Sequence, residues 1–510
     1  MLVEDIQAVA LTCVVVATTA YAVRWYLDPI NAIATVGGPS FPGLSFFAVV
    51  WTPPRDYREV LEEGYRKARH SAFKVRRLGQ WLVVVSGRRM VEELRKRPDE
   101  ELSFPLSVQE ALQSQYALEP PLRSDHYHVK VVQEKLGARR LPDIIPVVID
   151  EIPFALREHI AAKENEWTSV PVMPVMQKIV AQTSNRAFVG LPLCRNEDYL
   201  AQAIGFAVHV ARDAAALLLV PGFMRPLVAP FIRNVKRHTS HAVSRLRPII
   251  EERRRAFAEL GEGWNDKPND VLQLILDKAI SKGEGMTTIV QRLLMVDFAA
   301  ISTTSSTITH VLYHLAEKPD FLTPLRKEIE ASISTDGWTP TALGNMWKLD
   351  SILRETLRHH GISLLSMQRM AAKDITLSDG TRIPKGTLVF AATHPLHHDG
   401  AHIEHADTFD PFRYADVRRA APTGESLKHR CTSTSPGYIA FGHGTLACPG
   451  RYFAVNMLKA TLARIILDYD LKLGGDGVRP ADVCYGLNIM PAPDGRVLFK
   501  KRSEQSLGSV

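Results

Sequence analysis

The sequence predicts a mainly α-helical globular domain with a minor β region, preceded by a single transmembrane helix. Most segments between about residues 125 and 470 carry apolar residues at helical spacing, interrupted by proline and glycine. Strand-like runs are confined to residues 73–87 and 374–393. An uncharged apolar run near the amino terminus predicts the membrane-spanning segment.

The apolar run Ile6–Val23 has 18 residues, which is enough to span a bilayer. Glu4 and Asp5 precede it and Arg24 follows it, so the positive-inside rule places the amino end in the lumen and the rest in the cytosol. The alternative is a cleaved signal peptide, because residues 20–22 resemble a cleavage site. That alternative lacks a positive leading region, so we favour a retained anchor.

Three regions follow from this interpretation. Residues 1–24 are the predicted anchor, and residues 25–50 are a linker that contains the Pro- and Gly-rich hinge Val36–Gly43. Residues 51–510 are the predicted catalytic domain, with strands near 73–79 and 80–87 and a helix near 56–70.

Composition and charge narrow the functional classes. Hydrophobic content of 45% and charged content of 23% are typical of a globular protein. The net charge of +7 comes from 62 basic and 55 acidic residues spread along the chain, without a recognition motif, so we expect no nucleic-acid partner. The cysteines form no C-x-x-C pair, which disfavours a disulfide framework or a structural zinc site; they are Cys13, Cys194, Cys431, Cys448 and Cys484.

The segment Phe441–Arg451 concentrates the residues that predict chemistry. Its glycines permit a tight loop in which the backbone approaches a flat ligand closely. Cys448 stands just before a predicted helix that opens at Pro449 and Gly450, and a helix N-terminus should lower the pKa of this cysteine and favour the thiolate. The alternative is a buried structural cysteine. The predicted helix is amphipathic, with an apolar side formed by Phe453, Met457, Leu458, Leu462, Ile465 and Ile466.

The complete pattern F-x-x-G-x-x-x-C-x-G resembles the haem-binding loop of the cytochrome P-450 superfamily. The resemblance covers roughly residues 36–500 and implies the cytochrome P-450 fold with haem b as cofactor. It implies that Cys448 is the axial iron ligand, in a cofactor-binding loop with Phe441, Gly442, Gly444 and Gly450. Phe441 would shield the sulfur from water.

A second group of residues resembles the structural network of the same family. Glu355 and Arg358 are three residues apart, so on a helix they share a face and can form an ion pair. Arg413 would be the third member, in a segment similar to the family's P-E-R-F stretch, although Phe412 stands where that stretch has glutamate. Such a network is structural and performs no chemistry itself.

A long helix is predicted from Met286 to Leu315, with Phe298–Thr304 in its middle. This segment resembles the family's oxygen-activation helix, in which Thr303 would take the role of the proton-relay threonine. Small residues followed by threonine let a helix pass flat over a cofactor, and a back-bonding hydroxyl can widen it locally. The alternative is a buried helix rich in Ser and Thr with satisfied hydroxyls.

Two positions depart from the family pattern. Ser302 stands where the family usually has an acid, so proton delivery is expected to run through water or another group near Ser302 and Thr303. Leu446 replaces a basic residue that commonly pairs with a haem propionate. Arg369 is the candidate replacement; weaker candidates are His128 and Lys130.

The resemblance implies a monooxygenase that inserts one atom of O₂ into a C–H bond, with electrons supplied by an NADPH-dependent reductase and cytochrome b5 as a possible second donor. The anchor predicts an endoplasmic reticulum membrane location and a lipophilic substrate, for which we expect a di- or triterpenoid or a sterol of fungal secondary metabolism. The predicted pocket comprises Phe298, Leu364, Leu365, Ile489 and the loop 104–118.

Two other functions are compatible with a haem-thiolate sequence. One is an enzyme that rearranges or dehydrates a pre-oxidised substrate without O₂, which the presence of Thr303 disfavours. The other is a non-catalytic haem sensor. A separate metal site is not expected at the histidine-rich stretch, because no carboxylate or cysteine completes a ligand set there; its members are His394, His397, His398, His402 and His405.

Overall fold

The structure is a computed structural model that describes residues 11–13, 15–16, 18–20, 22–23, 26–38, 56–77, 80–422 and 424–503. The described residues of the predicted anchor are helical and exposed. Within the described ranges, no helix combines the length and the hydropathy that crossing a membrane requires. The hinge prediction beyond Gly38 lies outside the described residues.

The α-helices are numbered here in chain order. They are α1 Tyr57–Lys67, α2 Gly87–Lys96, α3 Phe104–Leu112, α4 Ser114–Ala117, α5 Pro120–Ser124, α6 Tyr127–Leu136, α7 Leu141–Ile160, α8 Val172–Phe188, α9 Glu197–Leu218, α10 Arg225–Val228, α11 Asn234–Leu260, α12 Val271–Ser281, α13 Met286–Glu317, α14 Leu322–Asp336, α15 Pro340–Asn345, α16 Trp347–His359, α17 Thr393–His397, α18 Arg413–Ala420 and α19 Arg451–Asp468.

The strands are fewer and shorter. They are β1 Ala34–Val36, β2 Ala72–Arg77, β3 Gln80–Val85, β4 Leu102–Ser103, β5 Thr168–Pro171, β6 Leu365–Ala371, β7 Ile375–Thr376, β8 Arg382–Ile383, β9 Leu388–Ala392, β10 Tyr469–Leu473, β11 Val483–Tyr485, β12 Asn488–Met490 and β13 Arg496–Lys501. This inventory is that of a mainly helical protein with a minor sheet content.

The chain divides into two compact units, the first made of Met1–Val108 and Leu365–Leu396. It contains a six-stranded sheet in the order β1-β2-β3-β9-β6-β4. β3 and β9 pair in parallel at its centre, with Leu82 opposite Leu388. All five residues of β9 are buried, as expected for a central strand covered on both faces.

The second unit, Gln109–Leu364 and His397–Val510, is predominantly helical. Its central element is α13, which has 32 residues and packs against α6, α8, α9, α11, α12, α16 and α19. A helix enclosed on so many sides buries residues around its whole circumference instead of along one stripe. A small antiparallel sheet, β10-β13-β5, and the hairpin β11-β12 complete this unit.

Most of the predicted elements are present, but the prediction that strands are confined to residues 73–87 and 374–393 is wrong, because β1, β4, β5, β6 and β10–β13 lie outside both regions. Three further differences concern the helices. The long helix predicted from Met286 to Leu315 extends to Glu317. The stretch 104–118 was predicted as a loop, which is wrong, because α3 and α4 cover most of it. The amphipathic interpretation of α19 is also wrong: its predicted apolar side is buried, but so are polar residues such as Lys459, which lies 3.5 Å from Asp350.

Candidate active site

The loop 441–450 in the second unit is held by short-range backbone hydrogen bonds. The Cys448 N–H donates to the Phe441 carbonyl at 2.8 Å, which closes the loop on itself. Gly442 and Gly444 have φ of +68° and +83°, a backbone region that residues with a Cβ rarely adopt. Gly450 has an ordinary φ of −86° and caps α19, so the backbone does not demand glycine at this position.

The surroundings of the Cys448 thiol correct one prediction. Burial raises the pKa of Cys448, although hydrogen bonds from the Gly450 and Arg451 N–H groups and the Arg451 charge act in the opposite direction. The helix N-terminus therefore has the predicted sign, but burial outweighs it. A bound cation that coordinates the sulfur would reverse this balance, because a coordinating thiol loses its proton.

The middle of α13 has the surface that a planar cofactor would cover. Ala299 is exposed although the flanking residues Asp297 and Ile301 are buried. The Thr303 hydroxyl donates to the Ala299 carbonyl at 2.9 Å, which is the back-bonding predicted from the sequence. The helix runs unbroken through this segment, so the predicted local widening is not observed. An accessible, small-residue strip beside a hydroxyl fits a flat haem.

Ser302 and Phe298 are four residues apart on α13, so they share one side of the helix, next to this strip. Both are partly buried, and Phe298 packs against the core of the second unit. The Ser302 carbonyl accepts a hydrogen bond from the Ser306 hydroxyl at 2.9 Å. Serine at position 302, where the family usually has an acid, therefore contributes no charge to this part of α13.

The structure brings Glu355, Arg358 and Arg413 together. Arg358 Nε and Nη2 donate to the two Glu355 carboxylate oxygens at 2.8 and 2.7 Å, and both side chains are fully buried. Arg413 Nε donates to Glu355 Oε1 at 3.3 Å. Arg358 also donates to the carbonyls of His397 and Ala406. This network joins α16 to the segment 397–413.

The candidate propionate partners have different environments. Arg369 is buried in β6 of the first unit, where its guanidinium donates to the Gln368 carbonyl at 2.7 Å and Nε has no partner among the described residues. A buried guanidinium without a carboxylate partner is suited to bind an anion. Leu446 is 41% exposed. His128 lies 3.3 Å from Arg292 and is held neutral, because burial and that charge lower its pKa to about 3.

Two of the predicted pocket residues come close together in the second unit. The Leu364 N–H donates to the Leu487 carbonyl at 2.8 Å, and the Ile489 N–H donates to the Ile362 carbonyl at 3.0 Å. Leu364 and Ile489 are both almost fully buried. Leu365 begins β6 in the first unit and pairs with Ala392.

A buried acid on α13 was missed by the sequence reasoning. Asp297 is fully buried, and burial raises its pKa to about 7 against the hydrogen bonds that it accepts from Asn185 and Tyr199. These partners lie on α8 and α9, so this carboxyl belongs to a contact between helices. No local pattern in the sequence distinguishes such an acid from an exposed one.

Comparison with known proteins identifies the family of this chain. The family model for cytochrome P-450 matches residues 40–495. A cytochrome P-450 monooxygenase of Ganoderma lucidum is 56% identical over 99% of this chain and 98% of its own length. A monooxygenase of the same family from Postia placenta is 42% identical over 94% of this chain and 95% of its own length. The ent-kaurene oxidase of Gibberella intermedia is 28% identical, covering 96% of this chain and 92% of its own.

The fold also matches a solved structure. A cyanobacterial cytochrome P-450 with bound retinoic acid superimposes with a TM-score of 0.63 and 20% identity, over 84% of this chain and 91% of that chain. The family match implies the use of haem and O₂. On the full-length match to fungal monooxygenases, this chain belongs to the cytochrome P-450 family and is an oxidoreductase of the monooxygenase type.

Proposed function

We propose that this protein is a membrane-bound, reductase-dependent monooxygenase that hydroxylates a terpenoid, with Cys448 as the axial ligand of haem b. The carrying observation is the closed loop in which the Cys448 N–H is bonded to Phe441 and two left-handed glycines shape the approach. When bound, the haem supplies the O₂ chemistry. The loop holds the sulfur in place and limits its contact with water.

Thr303 is the proposed proton-relay group. Its hydroxyl donates to the Ala299 carbonyl, so the oxygen lone pairs remain available to accept a hydrogen bond from a proton-delivering water. With serine at 302, the proton comes to Thr303 from water instead of from a neighbouring carboxyl. The helix contributes to the reaction by holding the Thr303 hydroxyl on the accessible strip of α13.

The terpenoid class is supported by similarity and by the apolar side chains of the proposed pocket. The ent-kaurene oxidase among the relatives carries the name of a diterpene hydrocarbon, a substrate that offers C–H bonds and no polar handle. Phe298, Leu364 and Ile489 are the proposed apolar pocket residues in the second unit. Such a pocket would bind a rigid hydrocarbon skeleton mainly by burying its surface.

A membrane location is supported by a second apolar feature besides the predicted anchor. Residues 219–231 form a surface segment, here called the apolar segment. Four of its large side chains recur every four residues and are 65–82% exposed: Leu219, Phe223, Leu227 and Phe231. Exposed apolar residues grouped in this way are typical of a surface that meets a membrane or a partner. We place the catalytic domain on the cytosolic face of the endoplasmic reticulum.

The proposed electron donor is an NADPH-dependent reductase that docks near the cysteine loop. Arg451 donates to the Cys448 carbonyl and to the Thr432 carbonyl, which ties the loop to the segment 428–432. Lys428 and Arg430 in that segment are exposed. Exposed cations beside the loop suit an acidic partner surface.

The test is turnover by the purified holoenzyme with reductase, NADPH and O₂. We expect ent-kaurene or a triterpene hydrocarbon to gain one oxygen atom, detected by mass spectrometry, and a straight-chain fatty acid to be a poorer substrate. Thr303→Ala should consume NADPH but yield at least about tenfold less product per NADPH, with more hydrogen peroxide. Thr309→Ala, a change at a buried hydroxyl on the same helix, is the control. Oxidation of fatty acids alone would contradict the substrate class.

A further inference from the structure

A group of metal-ligating side chains lies in the second unit outside the site described above. His310 is on α13, His360 follows α16, and Asp482 immediately precedes β11. Their side chains are 0%, 5% and 9% exposed. One ligand atom from each lies within 4.8 Å of the other two, the only such set of three among the described residues. We call these three residues the cation cluster.

The distances within the cation cluster are close to those of a coordination site. His360 Nδ1 lies 2.7 Å from Asp482 Oδ2, and His310 Nδ1 lies 3.6 Å from Asp482 Oδ1. A tetrahedral zinc ion with bonds of about 2.0–2.2 Å separates its ligand atoms by about 3.4 Å. Shifts of less than about an ångström would bring these atoms to that geometry. Two imidazole nitrogens and a carboxylate oxygen form a ligand set that zinc prefers.

A cation of the protein itself already lies in the cation cluster. Arg479 Nη2 is 2.7 Å from Asp482 Oδ1, 3.0 Å from His310 Nδ1 and 3.3 Å from His360 Nδ1. One guanidinium nitrogen thus approaches all three ligand residues at once. The three atoms are therefore arranged around a position that attracts positive charge.

Arg479 is incompletely satisfied in this position. Its Nε is buried and has no hydrogen-bond partner among the described residues, which costs free energy that exposure to water would recover. Its side chain is 14% exposed, and residues 474–482 form neither helix nor strand. The guanidinium can therefore leave the cluster by a rotation of its own side chain, without unfolding a regular element.

The residues around the cluster supply the support that a metal site needs. His314 Nε2 lies 2.7 Å from His360 Nε2, and the ring of His314 stacks on Phe409 at 3.6 Å. Burial lowers the pKa of His310 and of His314 well below the usual range, with further lowering by the neighbouring His360, Arg479 and His359. Burial opposes the ionisation of Asp482, but the hydrogen bond from His360 and the charge of Arg479 hold its pKa well below its usual range.

We propose that the cation cluster is a binding site for a divalent transition-metal ion, Zn²⁺ in particular, which competes with Arg479 for the same three ligand atoms. On binding, Zn²⁺ forms bonds to His310 Nδ1, His360 Nδ1 and an Asp482 oxygen, and water takes the fourth position. The Arg479 guanidinium moves to solvent with its charge. The proton of the neutral His360 moves from Nδ1 to Nε2, and the proton of His314 moves from Nε2 to Nδ1, so that His360 Nε2–H then donates to His314 Nε2. No proton is released overall.

The experiment is equilibrium dialysis of the tag-free, full-length holoenzyme against Zn²⁺, with bound metal measured by mass spectrometry. Arg479→Gln removes the competing cation and keeps most of the side-chain volume. We expect both proteins to bind one Zn²⁺ per chain at the cation cluster, and Arg479→Gln to bind it at least tenfold more tightly than the unaltered protein. Adding Asp482→Asn or His310→Gln to this variant should weaken that binding at least tenfold.

Two controls make the result decisive. Arg326→Gln removes another partly buried arginine, which donates to Asp470 away from any histidine, and should create no zinc site. Haem content and the thermal unfolding midpoint identify a variant that fails to fold. Asp482→Asn and His310→Gln are two independent changes of a ligand, so the test does not depend on one variant. Equal zinc binding by Arg479→Gln and the unaltered protein would overturn the proposal, as would unchanged binding after both ligand substitutions. The assay needs no substrate or reductase, so it is independent of the proposed function.

Discussion

The cysteine loop takes its groups from consecutive residues between Phe441 and Arg451, whereas the cation cluster takes its ligand atoms from positions 310, 360 and 482. In the loop, two glycines with positive φ and short-range backbone hydrogen bonds, including the one from the Cys448 N–H to the Phe441 carbonyl, fix the geometry. In the cluster, the geometry depends on how the end of α13, the end of α16 and the start of β11 pack. A local site can be read from sequence and a long-range site cannot.

The cysteine loop and the cation cluster also differ in the source of their positive charge. Burial raises the pKa of the Cys448 thiol, and a bound cation that coordinates the sulfur would favour the thiolate. The cluster already contains its own cation in Arg479, paired with Asp482. In the proposed function the haem iron would supply that cation to the loop, whereas Arg479 supplies the cation of the cluster.

The largest effect is expected from Cys448→Ala. Removing the only thiol of the loop should abolish monooxygenase turnover, because no other side chain in residues 441–451 offers a soft anionic ligand. The carbon monoxide complex of the reduced protein should lose its thiolate spectrum. Cys13→Ala, at an exposed position near the amino terminus and distant in sequence from the loop, should leave the spectrum unchanged. A retained thiolate spectrum in Cys448→Ala would show that another cysteine is the ligand.

Glu355→Gln tests the network that supports the same part of the second unit. Both Glu355 and Arg358 are fully buried, so the substitution leaves an uncompensated buried guanidinium and should lower the free energy of unfolding by about 3–5 kcal/mol. Urea unfolding with haem retention would measure this. Asp416→Asn, in an exposed pair with Arg419, should change stability by less than about 1 kcal/mol. Equal losses for the two variants would mean that burial of the network contributes nothing.

A pH experiment on Asp297 tests a part of α13 that belongs to neither the cysteine loop nor the cation cluster. The folded pKa of about 7 lies above the ordinary value of 3.8, so the unfolded chain loses this proton first as the pH rises. The contribution of Asp297 to the free energy of unfolding is complete below about pH 4. It is lost as the pH rises towards 7, by roughly 1 kcal/mol per pH unit. Urea unfolding between pH 4.5 and 7 should show this slope, and Asp297→Asn should flatten it. An unchanged slope would assign it to other groups.

The smallest effect is expected from Asp482→Asn, which tests whether the two regions are independent. The Arg479 guanidinium loses its carboxylate partner but remains partly accessible, so the free energy of unfolding should fall by about 1–3 kcal/mol. The thiolate spectrum of the carbon monoxide complex should be the same as in the unaltered protein. A changed spectrum would show that the cluster influences the Cys448 environment and that the two regions are coupled.

The sequence was sufficient wherever the determining interactions are local. The helix Met286–Glu317, the Glu355–Arg358 pair and the back-bonded Thr303 all depend on residues three or four apart or on a continuous periodic pattern. The predicted pKa of Cys448 was wrong in its net direction, because the burial of a thiol depends on distant segments.

Long-range packing explains the other misses. Asp297 and the cation cluster went unnoticed because α8, α9 and the loop before β11 create their surroundings. The histidines of the stretch 394–405 have separate partners: His397 accepts a hydrogen bond from the Ile439 N–H, while His402 lies near Asp399.

The apolar segment at 219–231 has a practical consequence for preparing the protein. Deleting residues 1–24 would not remove Phe223 or Phe231, each 82% exposed, so the shortened protein should still self-associate in detergent-free buffer. Replacing these two phenylalanines with serine in the shortened protein should give a single monomeric species by light scattering. Neither residue belongs to the proposed haem site or the cation cluster, so such a variant would provide homogeneous material for crystallisation.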